Sequence, residues 1–279
     1  MGVFSGSGTF STGLVNQTGG LMNISVGGMD IGTTVAGPGT YTYSLSGGTL
    51  QVPGATYMYD RSLINYSGGT MSVGNLFMNG GQVLLSAGGG KVFQARTLNF
   101  NTSLVVIDLN DNAMIVTQQS IDVVKSGIVT GFHGGDWNGH WITSSAAAAS
   151  LGAAHRTALG YSYASSAGVS TFFGRSVQAT DVLVRYTYYG DANLDGAVDT
   201  SDFNDLAANF SGGGKYWSQG DFNYDGTVDT TDFNLLASNF GQTLAAQAAS
   251  PVGAQVPEPG AGLLLAAALG RVAARHRRR

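Results

Sequence analysis

Residues 190–210 read GDANLDGAVDTSDFNDLAANF, and residues 220–240, 30 positions later, read GDFNYDGTVDTTDFNLLASNF. The two stretches agree at 15 of 21 positions. Their register is the same throughout, and a short Gly-rich joint separates them. This repeat predicts two copies of one small structural unit near the C-terminal end of the chain.

Each repeat carries oxygen-bearing side chains at loop positions 1, 3, 5, 9 and 12 and a glycine at position 6. A calcium-binding EF-hand loop uses these positions, together with the backbone carbonyl of position 7, and it needs glycine for the sharp turn. Position 12 is Asp here, whereas an EF-hand normally has Glu. We therefore predict two calcium ions, one in each loop. The predicted ligands are Asp191, Asn193, Asp195, Ala197, Asp199 and Asp202 in the first loop, and Asp221, Asn223, Asp225, Thr227, Asp229 and Asp232 in the second.

A short helix is predicted after each loop, because apolar residues recur at i, i+3, i+4 and i+7 in Phe203–Phe210 and in Phe233–Phe240. The residues before the first loop, Val182–Tyr189, are instead typical of a strand. Each repeat is thus half of an EF-hand, a loop with its exiting helix. Val198 and Val228 at loop position 8 are expected to pair with each other across the two loops.

This loop–helix repeat resembles the type I dockerin module over Gly190–Gly241. The resemblance implies one calcium per repeat and docking onto a cohesin-like protein. In that family, loop positions 10 and 11 contact the cohesin. Basic residues usually follow in the helix, where this chain has Ala208–Asn209 and Ser238–Asn239. The matching partner-binding positions are Thr200, Ser201, Thr230 and Thr231.

The N-terminal part, from about Thr9 to Val124, alternates apolar and small polar residues after glycine pairs. This period-2 pattern predicts a mainly β protein. We favour a parallel β-helix or solenoid, with an antiparallel β-sandwich as the alternative. The segment also resembles the Gly/Ser/Thr-rich repeats of bacterial autotransporter-type surface proteins. Strands are expected in Thr18–Val26, Ser46–Val52, Ser67–Val73, Asn79–Leu85, Arg96–Phe100, Ser103–Leu109, Ala113–Thr117 and Ser120–Val124.

Catalytic residues are not predicted. Charged residues make up only 11% of the chain, cysteine is absent, and the acids of the N-terminal part are thinly spread. Asp108 and Asp111 are expected to form a turn. His133, Asp136 and His140 do not follow a recognised metal-ligand spacing, so a structural role is favoured. Outside the C-terminal tail, no basic face suggests a nucleic-acid partner.

The segment 131–189 is predicted to be a β-rich connecting module. Trp137 and Trp141 are expected to cap the end of the solenoid. A helix is expected within Ser144–Leu159. Strands are expected at Thr157–Tyr163, Gly168–Phe173 and Thr180–Tyr189. The order of its motifs resembles the region that precedes dockerin repeats in surface proteins of planctomycete-type bacteria, which implies export.

The C-terminal end places Val256, Pro257, Glu258 and Pro259 before an apolar run and a basic tail. This order resembles the PEP-CTERM sorting signal. The resemblance implies cleavage by a sorting protease at the Pro-Glu-Pro motif and membrane contact through a C-terminal apolar helix. The apolar run, Gly260–Gly270, is 11 residues long, whereas a membrane-spanning helix needs about 20. No signal peptide is visible in the first 13 residues, so export is expected to require a start upstream of Met1.

Together these features predict an extracellular or cell-surface protein. The favoured function is non-catalytic, structural or adhesive. The alternative is a polysaccharide-degradation component, a glycoside hydrolase or carbohydrate-binding subunit, docked to a cohesin. The expected partners are thus a cohesin-like protein or a surface polysaccharide. The predicted segments are 1–130 (solenoid), 131–189 (connecting module), 190–241 (calcium loops), 242–255 (linker) and 256–279 (sorting signal).

Overall fold

The computed structural model describes residues 8–10, 13–25, 27–32 and 39–245. The sorting signal at 256–279, with its apolar segment, and most of the linker lie outside these residues. No helix within the described part is long and apolar enough to span a membrane.

The described chain is mainly β, as predicted: thirteen of its fifteen strands join in one sheet, and the other two form a separate two-stranded sheet. The strands are β1 (Gly8–Phe10), β2 (Gly13–Asn23), β3 (Met29–Ile31), β4 (Tyr41–Met58), β5 (Ser62–Tyr66), β6 (Thr70–Met78), β7 (Gln82–Leu85), β8 (Val92–Phe100), β9 (Val106–Asp108), β10 (Ala113–Val116), β11 (Trp141–Thr143), β12 (Thr157–Tyr163), β13 (Thr171–Phe172), β14 (Arg175–Ser176) and β15 (Val182–Tyr188). The helices are α1 (Ile121–Phe132), α2 (Ser145–Ala149), α3 (Thr200–Asn209) and α4 (Thr230–Asn239), with 3₁₀ turns at His133–Gly135 and Trp217–Gln219.

Parallel pairing dominates the first half of the sheet. β4 pairs with β6, β6 with β8 and β8 with β10, all in parallel. A second row runs through β5, β7, β9 and β11. The long strand β4 belongs to both rows, because residues 41–45 pair with β5 and residues 49–58 pair with β6.

The core follows from this register. Leu50, Met71, Phe93 and Met114 are partners on successive strands, and each is completely buried. Apolar side chains from different passes of the chain therefore stack in one column. Burial of such side chains contributes about 1.5–3 kcal/mol each. The second row has its own buried column of Tyr43, Ile64, Val83, Ile107 and Ile142.

The expected strand at Ser120–Val124 is wrong, because this segment begins helix α1. The hydroxyl of Ser120 caps the helix by accepting a hydrogen bond from the backbone of Asp122 (3.2 Å). Five residues of alternating pattern are too few to distinguish a helix from a strand. Two glycines further along the same helix also weaken its helical pattern. Gly131 lies so close to Ile142 that an added methyl group would overlap the Ile142 carbonyl.

The connecting module differs from the prediction in the lengths of its elements. The Ala-rich helix is only α2, since the backbone turns at Gly152 with φ of +89°. Strands β12 and β15 lie where expected and pair antiparallel, whereas the strand at Gly168–Phe173 shrinks to β13. Trp141 stacks on Phe100 with ring centroids 5.2 Å apart.

The glycine pairs are required where successive passes approach closely. Gly69 has a φ of +84°, and an added methyl group would overlap the carbonyl oxygen of Gly48. We expect Gly69→Ala to lower the free energy of unfolding by about 2 kcal/mol or more, because backbone strain and overlap add. Urea denaturation measures this change.

Gly19→Ala is the matched control for Gly69→Ala. It belongs to the same kind of glycine pair, lacks the positive φ and has no atom within 4 Å of the added methyl group. Its stability should stay within about 1 kcal/mol of the parent protein. Equal losses in the two variants would contradict the close-approach explanation.

Candidate metal centre

The two predicted calcium loops adopt the same backbone path. In the first, the N–H of Gly196 donates to Asp191 Oδ2 at 2.9 Å, and in the second, Gly226 donates to Asp221 Oδ2 at 3.0 Å. Both glycines have positive φ, +92° and +88°, which only glycine adopts readily. Each loop therefore turns around its own position 1 carboxylate, and a helix begins directly after it.

The position 12 aspartates hold the ends of each loop together. Asp202 Oδ1 accepts from the N–H groups of Ala192 (2.8 Å) and Asn193 (3.2 Å), while its Oδ2 accepts from Asp199 (2.9 Å). Asp232 makes the equivalent contacts in the second loop. Asp199 and Asp229 complete capping boxes at the starts of α3 and α4. Asp202 and Asp232 thus close the loops and start the helices at once.

The middle positions fold back over their own loop. Asn193 Oδ1 accepts from the N–H of Asp195 (2.9 Å), and Asp195 Oδ1 accepts from Ala197 (2.8 Å). Asn223 and Asp225 repeat this arrangement. The position 5 carboxylates, Asp195 and Asp225, are exposed. Substitution of either residue therefore removes one predicted ligand from its own loop with little disturbance of the buried structure.

Four carboxylates of the loops are completely buried: Asp191, Asp202, Asp221 and Asp232. Burial raises the pKa of Asp191 to about 7 and that of Asp202 to about 6. It also raises the pKa values of Asp221 and Asp232. Buried carboxylates are costly as anions unless a cation compensates them.

Asp221 Oδ1 is the clearest sign that the second loop suits a cation. This oxygen is buried and has no hydrogen-bond partner, although Oδ2 of the same carboxylate has two. In the described part of the chain, no three His, Cys, Asp or Glu side chains converge as a ready-made metal cluster. An EF-hand-type set also draws on Asn side chains and on the position 7 backbone carbonyl. The donors are hard oxygens throughout, so the residues present fit calcium in kind.

Two basic side chains from outside the repeats reach the loops. Lys125 on α1 contacts Asp221 Oδ2 at 2.8 Å. Arg185 on β15 donates to the backbone carbonyl of Leu194 at 2.7 Å. The sequence did not point to either residue. Lys125 lies far from the second loop in the sequence, Arg185 lies just before the first loop, and each belongs to a different element from the loop that it contacts.

The predicted pairing of Val198 with Val228 is not made by their backbones. Val198 exchanges hydrogen bonds with Gly241 and Gln242, which follow α4 (2.8 and 2.9 Å). Val228 does the same with the residues after α3, Ser211 and Gly212 (2.8 and 3.1 Å). Each loop is therefore bridged by the segment that leaves the other repeat, which ties the two repeats together.

The helices also bury a different face from the predicted stripe. Leu206 and Leu236 are buried, but the four phenylalanines of the repeats are exposed. Their exposed fractions are 39% for Phe203, 46% for Phe210, 41% for Phe233 and 52% for Phe240. The rings of Phe203 and Phe233 meet edge to face, with centroids 6.4 Å apart. An aromatic surface thus spans both helices.

Trp217 joins the repeats to the sheet. It is completely buried, and its indole N–H donates to the carbonyl of Asp191 at 2.6 Å. The ring lies against Gly160 of β12, where a side chain would leave no room. Tyr224 is anchored nearby, since its hydroxyl donates to the carbonyl of Leu159 at 3.0 Å. A tryptophan in the Gly-rich joint was the only sequence signal for this contact.

The predicted partner-binding residues lie in two pairs, one at the start of α3 and one at the start of α4. Thr200, Ser201, Thr230 and Thr231 are all exposed. The N–H of Ser201 donates to Asp199 (2.7 Å) and that of Thr231 donates to Asp229 (2.6 Å). Their backbone is thus used in capping, while the side chains face outward.

The other polar clusters have structural partners. Asp108 accepts from the N–H groups of Asn110 (2.8 Å) and Ser145 (2.9 Å), and Asp111 accepts from Gly88 (2.9 Å). These contacts confirm the predicted turn. His133 and Asp136 form an exposed pair at 3.1 Å on the helix end.

Comparison with known proteins gives no relative. No protein-family model, no curated protein and no solved structure matches this chain. The loops are therefore interpreted from their residues and geometry alone.

Proposed function

We propose that this protein is a non-catalytic, calcium-stabilised protein of the cell exterior, with a structural or adhesive role. The observation that carries the proposal is the pair of equivalent loops with buried carboxylates, one of which leaves Asp221 Oδ1 without a partner. Calcium would be held by side-chain and backbone oxygens of the loops. When bound, it would neutralise the buried carboxylates and fix the loop ends.

For the N-terminal half of the chain, we propose a parallel β-solenoid stalk. Its support is the near-constant offset between paired strands: Leu50 pairs with Met71, Met71 with Phe93 and Phe93 with Met114. Each pass of roughly 21 residues then adds one layer to the stack. Such a scaffold is a rigid spacer that needs few charged residues.

The repeats would form a dockerin-like module at the end of this stalk. The repeats pack against the sheet and are not an independent domain on a linker, because Trp217 and Tyr224 are buried against β12 and its neighbours. Calcium would therefore stabilise the end of the stalk as well as the loops. The sorting-type tail supports delivery to the cell exterior.

Thermal denaturation tests the proposal. If calcium is held at 100 times its dissociation constant, each site adds about 2.7 kcal/mol, which raises the melting temperature by about 5–10 °C. Magnesium should act far more weakly, because it is smaller and demands stricter octahedral geometry. Equal melting curves with calcium and with a chelator would contradict the proposal.

A second candidate function is docking to a cohesin-like protein, as part of a polysaccharide-degrading assembly. The exposed Thr200, Ser201, Thr230 and Thr231 and the exposed phenylalanines of both helices favour it. Capture of purified cohesins by the calcium-loaded protein, lost in a Ser201→Asp/Thr231→Asp double variant, would support docking. Failure to retain any cohesin would leave the structural role as the better account.

A further inference from the structure

Lys125 reaches from α1 to the second calcium loop, 96 residues further along the chain. Its Nζ lies 2.8 Å from Asp221 Oδ2 and also donates to the carbonyl of Lys215 at 2.8 Å. The lysine side chain is 18% exposed, whereas the Asp221 side chain is completely buried. The pair is therefore shielded from water on one side, where charge interactions are strong.

The lysine uses only one edge of the carboxylate. Asp221 Oδ2 accepts both from Lys125 and from the N–H of Gly226, and Oδ1 stays without a partner. An added methyl group on Gly226 would lie 3.7 Å from Lys125 Nζ, so the ammonium group lies directly over the loop turn. A calcium ion bound through Oδ1 would share this carboxylate with a positive charge.

In the first loop, no basic side chain among the described residues donates to the position 1 carboxylate. Asp191 Oδ2 accepts from the Thr187 hydroxyl and from the N–H of Gly196. The Arg185 guanidinium also lies over its loop turn, since a methyl group added to Gly196 would overlap it, but its hydrogen bond goes to the Leu194 carbonyl and not to a carboxylate. Among the described residues, an ammonium group thus contacts the position 1 ligand of the second loop alone.

We propose that Lys125 is a built-in competitor of calcium that lowers the affinity of the second loop and holds this loop against α1 when calcium is absent. This inference rests on calcium binding by the loops, as proposed above. A fixed positive charge a few ångström from a divalent ion should weaken binding by about ten-fold or more, even at high effective dielectric constant. The position 1 carboxylate is already partly neutralised by Lys125, so it attracts calcium less.

Calorimetric titration with calcium tests the proposal when each loop is measured alone. Asp195→Ala removes an exposed ligand of the first loop, and Asp225→Ala removes its counterpart in the second. In the Asp195→Ala background, Lys125→Met should raise the calcium affinity of the second loop by about ten-fold or more. In the Asp225→Ala background, the same change should alter the calcium affinity of the first loop by less than about two-fold. Solvent and salt screen the charge of Lys125 over the longer distance to that loop.

Lys215→Met is the matched control, since it removes a nearby positive charge whose ammonium group donates to Asn209 Oδ1 (2.9 Å) and not to a loop carboxylate. It should leave the affinity of the second loop within about two-fold of the parent value. Lys125→Gln serves as a second variant, because it keeps a donor for the Lys215 carbonyl without the charge. Circular dichroism verifies that each variant is folded.

The outcomes separate the two proposals. If Lys125→Met and Lys125→Gln leave the affinity of the second loop unchanged or lower it, Lys125 is not a competitor, although calcium binding stands. A rise of the same size in Lys215→Met would reduce the effect to net charge and would also overturn the proposal. Absence of calcium binding in the unsubstituted protein would instead reject the proposed function itself.

Discussion

Chelation of calcium is expected to expose the backbone of residues 182–244 and of α1 and β12 to hydrogen exchange, while β4, β6 and β8 stay protected. Each site held at 100 times its dissociation constant contributes about 2.7 kcal/mol, equivalent to about 100-fold in exchange protection. Without calcium, the buried Asp191, Asp202, Asp221 and Asp232 must be protonated or must repel one another. Hydrogen exchange followed by mass spectrometry measures the change segment by segment.

The spread of this effect to α1 and β12 follows from specific contacts. Tyr216 donates to Asp122 of α1 at 2.8 Å, and the Tyr224 hydroxyl donates to the carbonyl of Leu159 in β12 at 3.0 Å. An effect confined to 190–241 would show that the repeats fold separately from the sheet. Magnesium in place of calcium is the control and should restore little protection.

Replacement of Trp217 by Ala is expected to cause the largest loss of stability among the substitutions proposed for this protein. The side chain is completely buried and touches the rings of Phe222, Tyr224 and Tyr189, with centroids 5.1, 5.4 and 5.9 Å away. Truncation of such a side chain costs about 3–5 kcal/mol. Urea denaturation of the calcium-loaded protein measures the loss.

Trp217→Phe separates the packing of the ring from its hydrogen bond. It keeps an aromatic ring but leaves the Asp191 carbonyl without its indole donor, which costs about 1–3 kcal/mol. Because Asp191 is loop position 1, both substitutions should also weaken calcium binding by the first loop. Trp141→Ala is the matched control, since Trp141 stacks on Phe100 and its indole N–H donates to the carbonyl of Thr102 (3.1 Å) and not to a loop residue. Trp141→Ala should lower the free energy of unfolding and leave the calcium affinity unchanged. An equal loss of calcium affinity in Trp141→Ala and Trp217→Ala would contradict the role of Trp217.

The sequence was most informative where chemistry and spacing coincide. Glycine at loop position 6 predicted the turn, which Gly196 and Gly226 make with positive φ, and the apolar spacing after each loop predicted helices α3 and α4. The β content of the N-terminal half followed from simple alternation. Alternation did not predict the pairing of these strands, because the pattern does not reveal which strands become neighbours.

The sequence was least informative about contacts between distant segments. Val198 and Val228 share a loop position, yet the backbone of each pairs with the chain leaving the other repeat. Helix α1 was hidden because Gly127 and Gly131 weaken the helical pattern, although their lack of side chains lets Ile142 approach. Lys125 and Trp217 gain their importance only from folding, which places them on Asp221 and Asp191.

The central claim is that the two repeats bind calcium, and calorimetric titration of the metal-free protein with calcium tests it most directly. We predict two ions per chain, with one site lost in Asp195→Ala and the other lost in Asp225→Ala. Absence of binding at millimolar calcium, or two sites that survive both substitutions together, would contradict this claim.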